Sequence, residues 1–584
     1  MEGMFLKRRV RRKDGKEHAY YSVCESLRVS SHRTVQRNIL HLGELNTSQL
    51  EQWQRTITVF DEGGTARQMR LFTDRDQPAP GDPDVVEIKL STLQVKHPRR
   101  FGDCWLGCQA WEQLGLREFW QGVLDQEAGS VPWHKVVELL TVNRLLWPRS
   151  ELSIHEKWFG QSAMELLLDT DALVAEKDRL YRCLDRLLEH KPALEKHLAD
   201  KWKDLFGASY DVLLYDLTST YFEGEASGVP HARRGYSRDH RPDCKQLVIA
   251  LIVTPEGFPL SYEIFPGNRL DVTTLKEMVE KVEDKHGKAR RVWVFDRGIV
   301  SESNLQWLRE RGAHYLVGTP RSQLKKYQKE LLEEDWKEIA GKVEVKLVCE
   351  EGEVYVLCRS KGRKEKEGAM RSRLLLKLMR SLIKLRRRLK KGRIKSESLL
   401  QRTLGRLEER YSTVWKYARV SSQTLSVKWN WDREALKASG QRDGAYLLRA
   451  HWTEKDPAKL WSTYVQLTEA EAAFRTLKSD LKVRPIWHWL EHRVEAHILV
   501  AFLGYCLWVY LKAKLRTVAP SLTPWQVIDQ LGRISLVEVW FELKDGRQIC
   551  LPRITQPEPA QLAILDQLDW KLPRQPPPRI SSQF

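Results

Sequence analysis

The chain has 584 residues, which at about 150 residues per domain leaves room for several domains with substantial cores. Hydrophobic residues make up 42% and aromatic residues 9% of it, which excludes a disordered polymer and a small disulfide scaffold. Its 97 Lys and Arg against 78 Asp and Glu give a formal charge of +19, so a polyanion is the first partner to consider.

In chain order, the opening MEGMFLKRRVRRK is basic but precedes no apolar run, so it does not read as a signal peptide. Phe5 to Arg12 and Glu17 to Val29 alternate as strands around an Asp14-Gly15 turn, predicting a basic β-hairpin domain over 1–74. Pro78, Pro80 and Pro83 mark a linker, taken as 75–95. From Gly102 to Phe206 apolar residues recur at helical spacing, as in Leu139, Val142, Leu145, Leu146 and Leu180, Leu184, Leu187, Leu188. A helical domain over 96–206 follows, expected to bind DNA. The nine cysteines are scattered, which suits a reducing cytoplasm, and Cys104 and Cys108 lack the second pair that a zinc site needs.

After Asp211 the pattern turns to strands: Val212 to Tyr215, Leu247 to Val253, and Pro259 to Phe265 as the hairpin partner of the second. Asp271 is expected to cap a helix with Leu275, Met278, Val279 and Val282 on one face. Val292 to Phe295 is a fourth strand, Ser301 caps a helix that stops at Gly312, and His314 to Gly318 is a fifth strand. The result is a mixed sheet covered by helices over 207–320. Residues 321–455 read as an insertion with strand-like stretches around a basic helical pair. Leu375, Leu378, Leu382, Leu385 and Leu389, then Leu400, Leu404, Leu407 and Tyr411, form two apolar stripes suited to an antiparallel hairpin. Sixteen Lys and Arg against two acids fall between Lys361 and Lys395, a net of +14, leaving 19 − 14 = +5 for the rest of the chain. Such a run is either a solvated face or a footprint for nucleic acid. Helical periodicity resumes over 456–515, and its apolar stretch Ile498 to Leu511, fourteen residues, is too short for a bilayer and predicts a buried helix. The C-terminal region, 516–584, is expected to end in a disordered tail after Pro576-Pro577-Pro578.

Two aspartates follow directly on buried-looking strands, Asp216 in LLYDLTSTYF and Asp296 in VWVFDRG. Singly, each reads as a turn cap. As a pair they suit a hard divalent cation, which wants several carboxylate oxygens from rigid elements. Tyr464, Glu471 and Lys478 are spaced by seven and share one line of a helix, beside an apolar seam that also permits a purely structural reading. Glu469 lies about 200° around that helix from Glu471, so only one of the two can face the sheet. His488 and His497 are read as structural.

With Asp216 in YDLTSTYF, RGYSRDHRPDCKQLVIALIV leading to FPGNRLD, Asp296 in FDRG, and Tyr464, Glu471 and Lys478 followed by RPIWHW, the chain resembles the DDE insertion-sequence transposases of the branch with a Tyr-Arg-Glu-Lys signature, over most of its length. The resemblance implies an α/β fold with an RNase H-like core, preceded by a small β domain and a helical domain and interrupted by the 321–455 insertion. It implies a catalytic triad of Asp216, Asp296 and Glu471 holding two Mg²⁺ ions, replaceable by Mn²⁺, that cleave element ends and join the 3′-OH to target DNA. Tyr464 and Lys478 are then expected to touch DNA phosphates. The family's Arg falls at Leu467, so its contact is either absent or supplied by another residue, with Arg475 the candidate. Arg386, Arg387 and Arg388 on the basic hairpin are expected to hold duplex DNA by its backbone. The expected partners are transposon ends and target DNA, no membrane, and a second copy of the chain in the DNA complex; the expected location is the bacterial or archaeal cytoplasm, at the nucleoid. A nuclease of the same fold without strand transfer, and a non-catalytic DNA-binding protein, are the alternatives.

Overall fold

The computed structural model describes residues 4–13, 16–30, 33–44, 59–60, 66–67, 87–125, 132–288, 290–339, 343–350, 352–423 and 425–581. They fall into two units, one of Gln109–Leu152 with Leu173–Ala513 and one of Met1–Cys108 with Ser153–Ala172 and Lys514–Phe584.

The larger unit is built on a sheet whose first five strands are β1 (Val212–Tyr221), β2 (Gln246–Val253), β3 (Pro259–Pro266), β4 (Val292–Phe295) and β5 (His314–Gly318). They lie in the order β3-β2-β1-β4-β5, with β1, β4 and β5 parallel and β2 and β3 antiparallel, which is an RNase H-like core. Parallel neighbours need crossover helices. A helix α1 (Leu275–His286) links β3 to β4, and α2 (Glu302–Glu310) links β4 to β5. Both lie on one face: Leu275, Met278, Val279 and Val282 of α1 and Leu305 and Leu308 of α2 are buried with Leu213, Tyr215, Trp293, Phe295 and Val317 in a single core. Ser301 caps α2 as the sequence implies, accepting from the Asn304 amide, but Thr274 rather than Asp271 precedes α1, and the Asp271 side chain is spent on Arg238. β1 also runs five residues beyond Asp216.

The 321–455 segment is not a separate β body. Strands β6 (Lys337–Ile339), β7 (Val343–Glu350), β8 (Glu353–Ser360) and β9 (Ala445–His451) continue the same sheet, in the nine-strand order β6-β7-β8-β9-β5-β4-β1-β2-β3. β9 closes on β5 antiparallel, with Tyr315 opposite His451 and Gly318 opposite Leu448. The edge of β5 would otherwise be an open row of backbone donors and acceptors. Between β8 and β9 stand α3 (Lys361–Lys390) and α4 (Glu397–Arg410), capped by the Ser360 and Ser396 hydroxyls. Leu378, Leu382 and Leu385 of α3 and Leu400 and Leu404 of α4 are buried in one cluster, with Tyr411 and Val427, and this is the hairpin that the leucine spacing predicts.

After β9 come α5 (Pro457–Val465), α6 (Leu467–Arg475), a π turn over Thr476–Asp480, a non-helical stretch through Leu481 to Trp489, and α7 (Glu491–Val518). The helical reading therefore breaks where Pro485 removes a backbone donor. α7 is long and apolar enough to cross a membrane, yet 89% of its most apolar window is buried inside the protein, in keeping with the buried helix expected there.

In the smaller unit, Met4–Lys13, Lys16–Ser30 and Arg33–Glu44 form a three-stranded antiparallel sheet, the expected hairpin plus one strand. The Asp14-Gly15 turn and the prolines of the linker lie outside the described residues. The end of the expected linker is a strand, Ile88–Arg100, paired antiparallel with Ser535–Leu543. Nothing local announces a partner so distant in sequence. The expected disordered tail is likewise corrected: the Gln575 side chain bonds both the amide and the carbonyl of Ile554 at 2.8 and 3.0 Å, and Arg579–Ser581 adds a strand beside Gln548–Ile554. Main-chain pairing of this kind is indifferent to the low complexity of the side chains.

Candidate active site

The register of β1 against β4 runs from Val212 opposite Val292 to Tyr215 opposite Phe295. Asp216 and Asp296 are the next residues on two parallel strands, which lie about 4.8 Å apart, so the two carboxylates leave the sheet side by side. Side chains alternate along a strand. Tyr215 and Phe295 point into the core beneath α1 and α2, so Asp216 and Asp296 point to the opposite face, where α6 packs over β1 and β2. Glu471 lies on α6 and is exposed. Its neighbour Glu469 turns away to Lys512 at 2.7 Å, which leaves Glu471 as the acid available to the sheet.

The electrostatics register this convergence. Burial pushes the Asp216 carboxyl up to about 7, and the negative charges of Asp296 and Glu471 push the same way, against the Leu217 amide and Arg238. The Leu217 amide donates to Asp216 Oδ1 at 2.8 Å. A carboxyl set beside two further carboxylates, with the Arg238 cation bearing against them, is a donor set suited to a divalent metal. Asp216, Asp296 and Glu471 are the residues that would hold it.

Tyr464 stands in the site rather than at its rim. Its hydroxyl donates to Asp296 Oδ1 at 3.3 Å, and burial together with that carboxylate raises its pKa. Gly318, at the end of β5, makes this possible, because a Cβ there would collide with the Tyr464 hydroxyl and stand 3.5 Å from Asp296 Oδ1. Lys478 points elsewhere: Nζ donates to Asp239 at 2.8 Å, Arg484 pairs with the same carboxylate, and burial lowers the Lys478 pKa. Arg475 is exposed at the end of α6, whereas Leu467, where the signature's Arg would fall, is buried in the core. Arg386, Arg387 and Arg388 are exposed on α3, well away along the chain, and Arg386 lies 4.9 Å from the centre of the Trp429 ring.

Several residues escaped the sequence reading. Arg238 spans the site: its amide donates to Ser219 Oγ, and its guanidinium bonds both Asp271 oxygens at 2.6 Å. Beside it opens a cavity of about 270 Å³ lined by Tyr236, Arg238, Asn268, Arg269, Asp271 and Gly298. Tyr236 is 84% exposed although its carbonyl is held by the buried Gln246 amide at 2.9 Å. The one available signal was the density of Arg and Asp in RRGYSRDHRPD. His488 and His497 are structural, as the sequence suggested. His497 is buried with Glu151 and Arg144, the half-buried His488 lies against Glu151, and both His497 nitrogens are engaged, one with Arg144 and one with the Val483 carbonyl, each at 3.3 Å. Burial alone would raise the Glu151 carboxyl, but His488, His497 and Arg144 together hold it at about 2.

Among solved structures, the chain is similar to a piggyBac transposase synaptic complex with hairpin DNA, at 8% identity and a TM-score of 0.36 over 75% of this chain and 81% of that one. A Mos1 transposase paired-end complex with the left transposon end shares 14% identity, at a TM-score of 0.14, over 36% of this chain and 66% of that one. No curated protein matches the chain. The family described as the Transposase DDE domain matches residues 207–507, a span that takes in the strands bearing both aspartates, the continued sheet and α6, and the chain belongs to this family of DDE transposases.

Proposed function

We propose that the chain cleaves the ends of a DNA element and joins the freed 3′-OH to target DNA, with Asp216, Asp296 and Glu471 as ligands of two Mg²⁺ ions. The observation that carries this reading is the matched register of Asp216 and Asp296 beneath the helix bearing Glu471. Ions bound there would activate the attacking oxygen, a water or a 3′-OH, and stabilise the leaving oxygen of the same phosphate.

The chain's own residues prepare the site. The Tyr464 hydroxyl fixes the orientation of one Asp296 oxygen, leaving the other for a ligand. Arg238, anchored by Asp271, keeps a positive charge close to Asp216, where a DNA phosphate would enter. Lys478 and Arg484 clamp Asp239, one residue after Arg238, so Lys478 acts here as a brace for the Arg238 loop instead of a direct phosphate contact. Arg475 and the α3 arginines supply sequence-independent contacts to the duplex. Pairing two element ends calls for two copies of the chain.

The test is a plasmid carrying the element's inverted repeats, incubated with the full chain and Mg²⁺. Cleavage at the ends and joined products are expected, and each of Asp216→Asn, Asp296→Asn and Glu471→Gln should abolish both while leaving end binding intact. Cleavage without joined products would reduce the reading to a nuclease. Full activity in any variant would remove that residue from the site.

A further inference from the structure

A second group of metal-ligating side chains lies apart from the catalytic carboxylates. Glu491 and Glu495 are one turn apart at the start of α7 and share a face. His231 comes to them from the loop that follows β1. Its backbone is pinned, since its carbonyl accepts from Gly267 at 3.0 Å and Val229 and Ala232 on either side are buried. The same loop presses on the chain just before α7, where a Cβ on Gly228 would stand 2.8 Å from the Trp489 carbonyl. The three side chains each offer one atom, and these atoms lie within 4.8 Å of one another.

Acidic residues at a helix start are common, because the exposed amides there favour negative charge. Two features here go beyond that. His231 Nδ1 and Glu491 Oε1 are both shielded from solvent and neither has a hydrogen-bond partner among the described residues, although they face each other at 3.2 Å. Both side chains are otherwise part-exposed, at 41% and 34%, and two shielded atoms set face to face without a hydrogen bond call for a bridging group. The charge count points the same way: one imidazole cannot balance two carboxylates, and the nearby Lys191 is occupied by the Tyr262 carbonyl and Glu263 at 2.7 and 3.3 Å.

The geometry points to a divalent-cation site of the zinc type, formed by His231, Glu491 and Glu495. Ligand atoms about 2.0 to 2.2 Å from a tetrahedral zinc stand about 3.3 to 3.6 Å apart, close to the spacing already set between His231 and Glu491. A small swing of the Glu495 carboxylate completes three ligands, and solvent supplies a fourth. Nitrogen with two carboxylates prefers such a metal to Mg²⁺, which takes oxygen ligands. The Glu151, His488 and His497 group offers no equivalent, because both His497 nitrogens are engaged and Arg144 already brings a positive charge. A cation at His231 would staple the start of the loop that carries Tyr236, Arg238 and Asp239 to α7. It would thus act as a structural clip with no part in bond breaking.

The experiment uses the full chain carrying Asp216→Asn, Asp296→Asn and Glu471→Gln, so that the catalytic carboxylates cannot contribute. Zn²⁺ is titrated by calorimetry, and Co²⁺ by visible absorption as its spectroscopic stand-in. One ion per chain is expected, with the intense absorption of low-coordinate Co²⁺ and a rise in thermal midpoint. His231→Ala and the isosteric Glu495→Gln should each abolish the binding and the rise, while circular dichroism and the midpoint in chelator stay unchanged. Absence of stoichiometric binding overturns the site. So does binding that survives both substitutions.

Discussion

Two of the charged clusters in the larger unit, at Glu151 and at Asp216, have opposite electrostatic character. Around Glu151, every charge has met its complement: Arg144, His488 and His497 surround a carboxylate held at about 2. At Asp216 the neighbours are mostly of like sign, and the carboxyl is pushed to about 7. Both clusters are removed from bulk water to some degree, so burial does not distinguish them. The first is complete and belongs to the fold. The second is left incomplete by the chain, and under the proposed function a divalent metal would complete it.

This contrast is sharpest if function and stability respond oppositely. Asp216→Asn, Asp296→Asn and Glu471→Gln should each lower cleavage by about a thousandfold or more, measured in single-turnover assays on labelled element ends. Loss of folding in these variants would collapse the distinction. Glu151→Gln should instead destabilise the protein by about 3 kcal/mol, since it strands buried positive charge, and should spare the rate of the folded fraction. Urea unfolding monitored alongside cleavage separates the two.

The pH dependence differs in sign between the clusters. Folded Asp216 keeps a proton that the unfolded chain releases, so its contribution weakens the metal-free protein as pH rises from about 4 through about 7. The full effect is about 4 kcal/mol, discounted to about 2 kcal/mol for partial contact with solvent. Asp216→Asn should remove that slope and be the more stable chain at about pH 8 in chelator. Glu151 behaves the other way: its stabilisation is complete above the ordinary carboxylate range and is lost as pH falls through about 4.5 toward about 2. His497, held neutral by burial, adds to acid weakness below its ordinary range. Unfolding free energies across pH that showed one common sign for Asp216→Asn and Glu151→Gln would break the comparison.

The smallest effect concerns α3. Replacing Arg386, Arg387 and Arg388 with Ala should weaken binding to any duplex and reduce the salt slope by up to about three units, read from binding isotherms at several salt concentrations. Because Arg386 also rests on Trp429, its share is expected to be the least. If the triple variant lost binding only to element ends, the hairpin would have to recognise sequence.

Much of the core was legible in advance for a physical reason: Val292–Phe295 and His314–Gly318 are apolar runs bounded by Asp, Thr and Gly, and such local patterns survive folding. The two aspartates stood out because each follows directly on an apolar run, although Asp216 lies within β1 and not at its end. What stayed hidden depends on pairing between distant segments. The joining of β9 to β5, of Ile88–Arg100 to Ser535–Leu543, and of Lys478 to Asp239 leaves no periodic trace in either partner. Arg238 and Asp271 were missed for the same reason, each having an ordinary local explanation, loop charge in one case and helix cap in the other.

The continuity of the sheet gives the basic hairpin a mechanical meaning. α3 springs from the end of β8, and the chain returns through β9, which is zipped to β5. At 30 residues α3 is a beam about 45 Å long, and its root is the sheet that carries Asp296 and, at Gly318, the seat of Tyr464. Under the proposed function, DNA held by the outer arginines would exert torque on strands adjoining the carboxylates through the backbone pairing of β9 with β5. In that reading the hairpin would work as a cantilever, turning grip on a distant stretch of duplex into alignment at the phosphate to be cut.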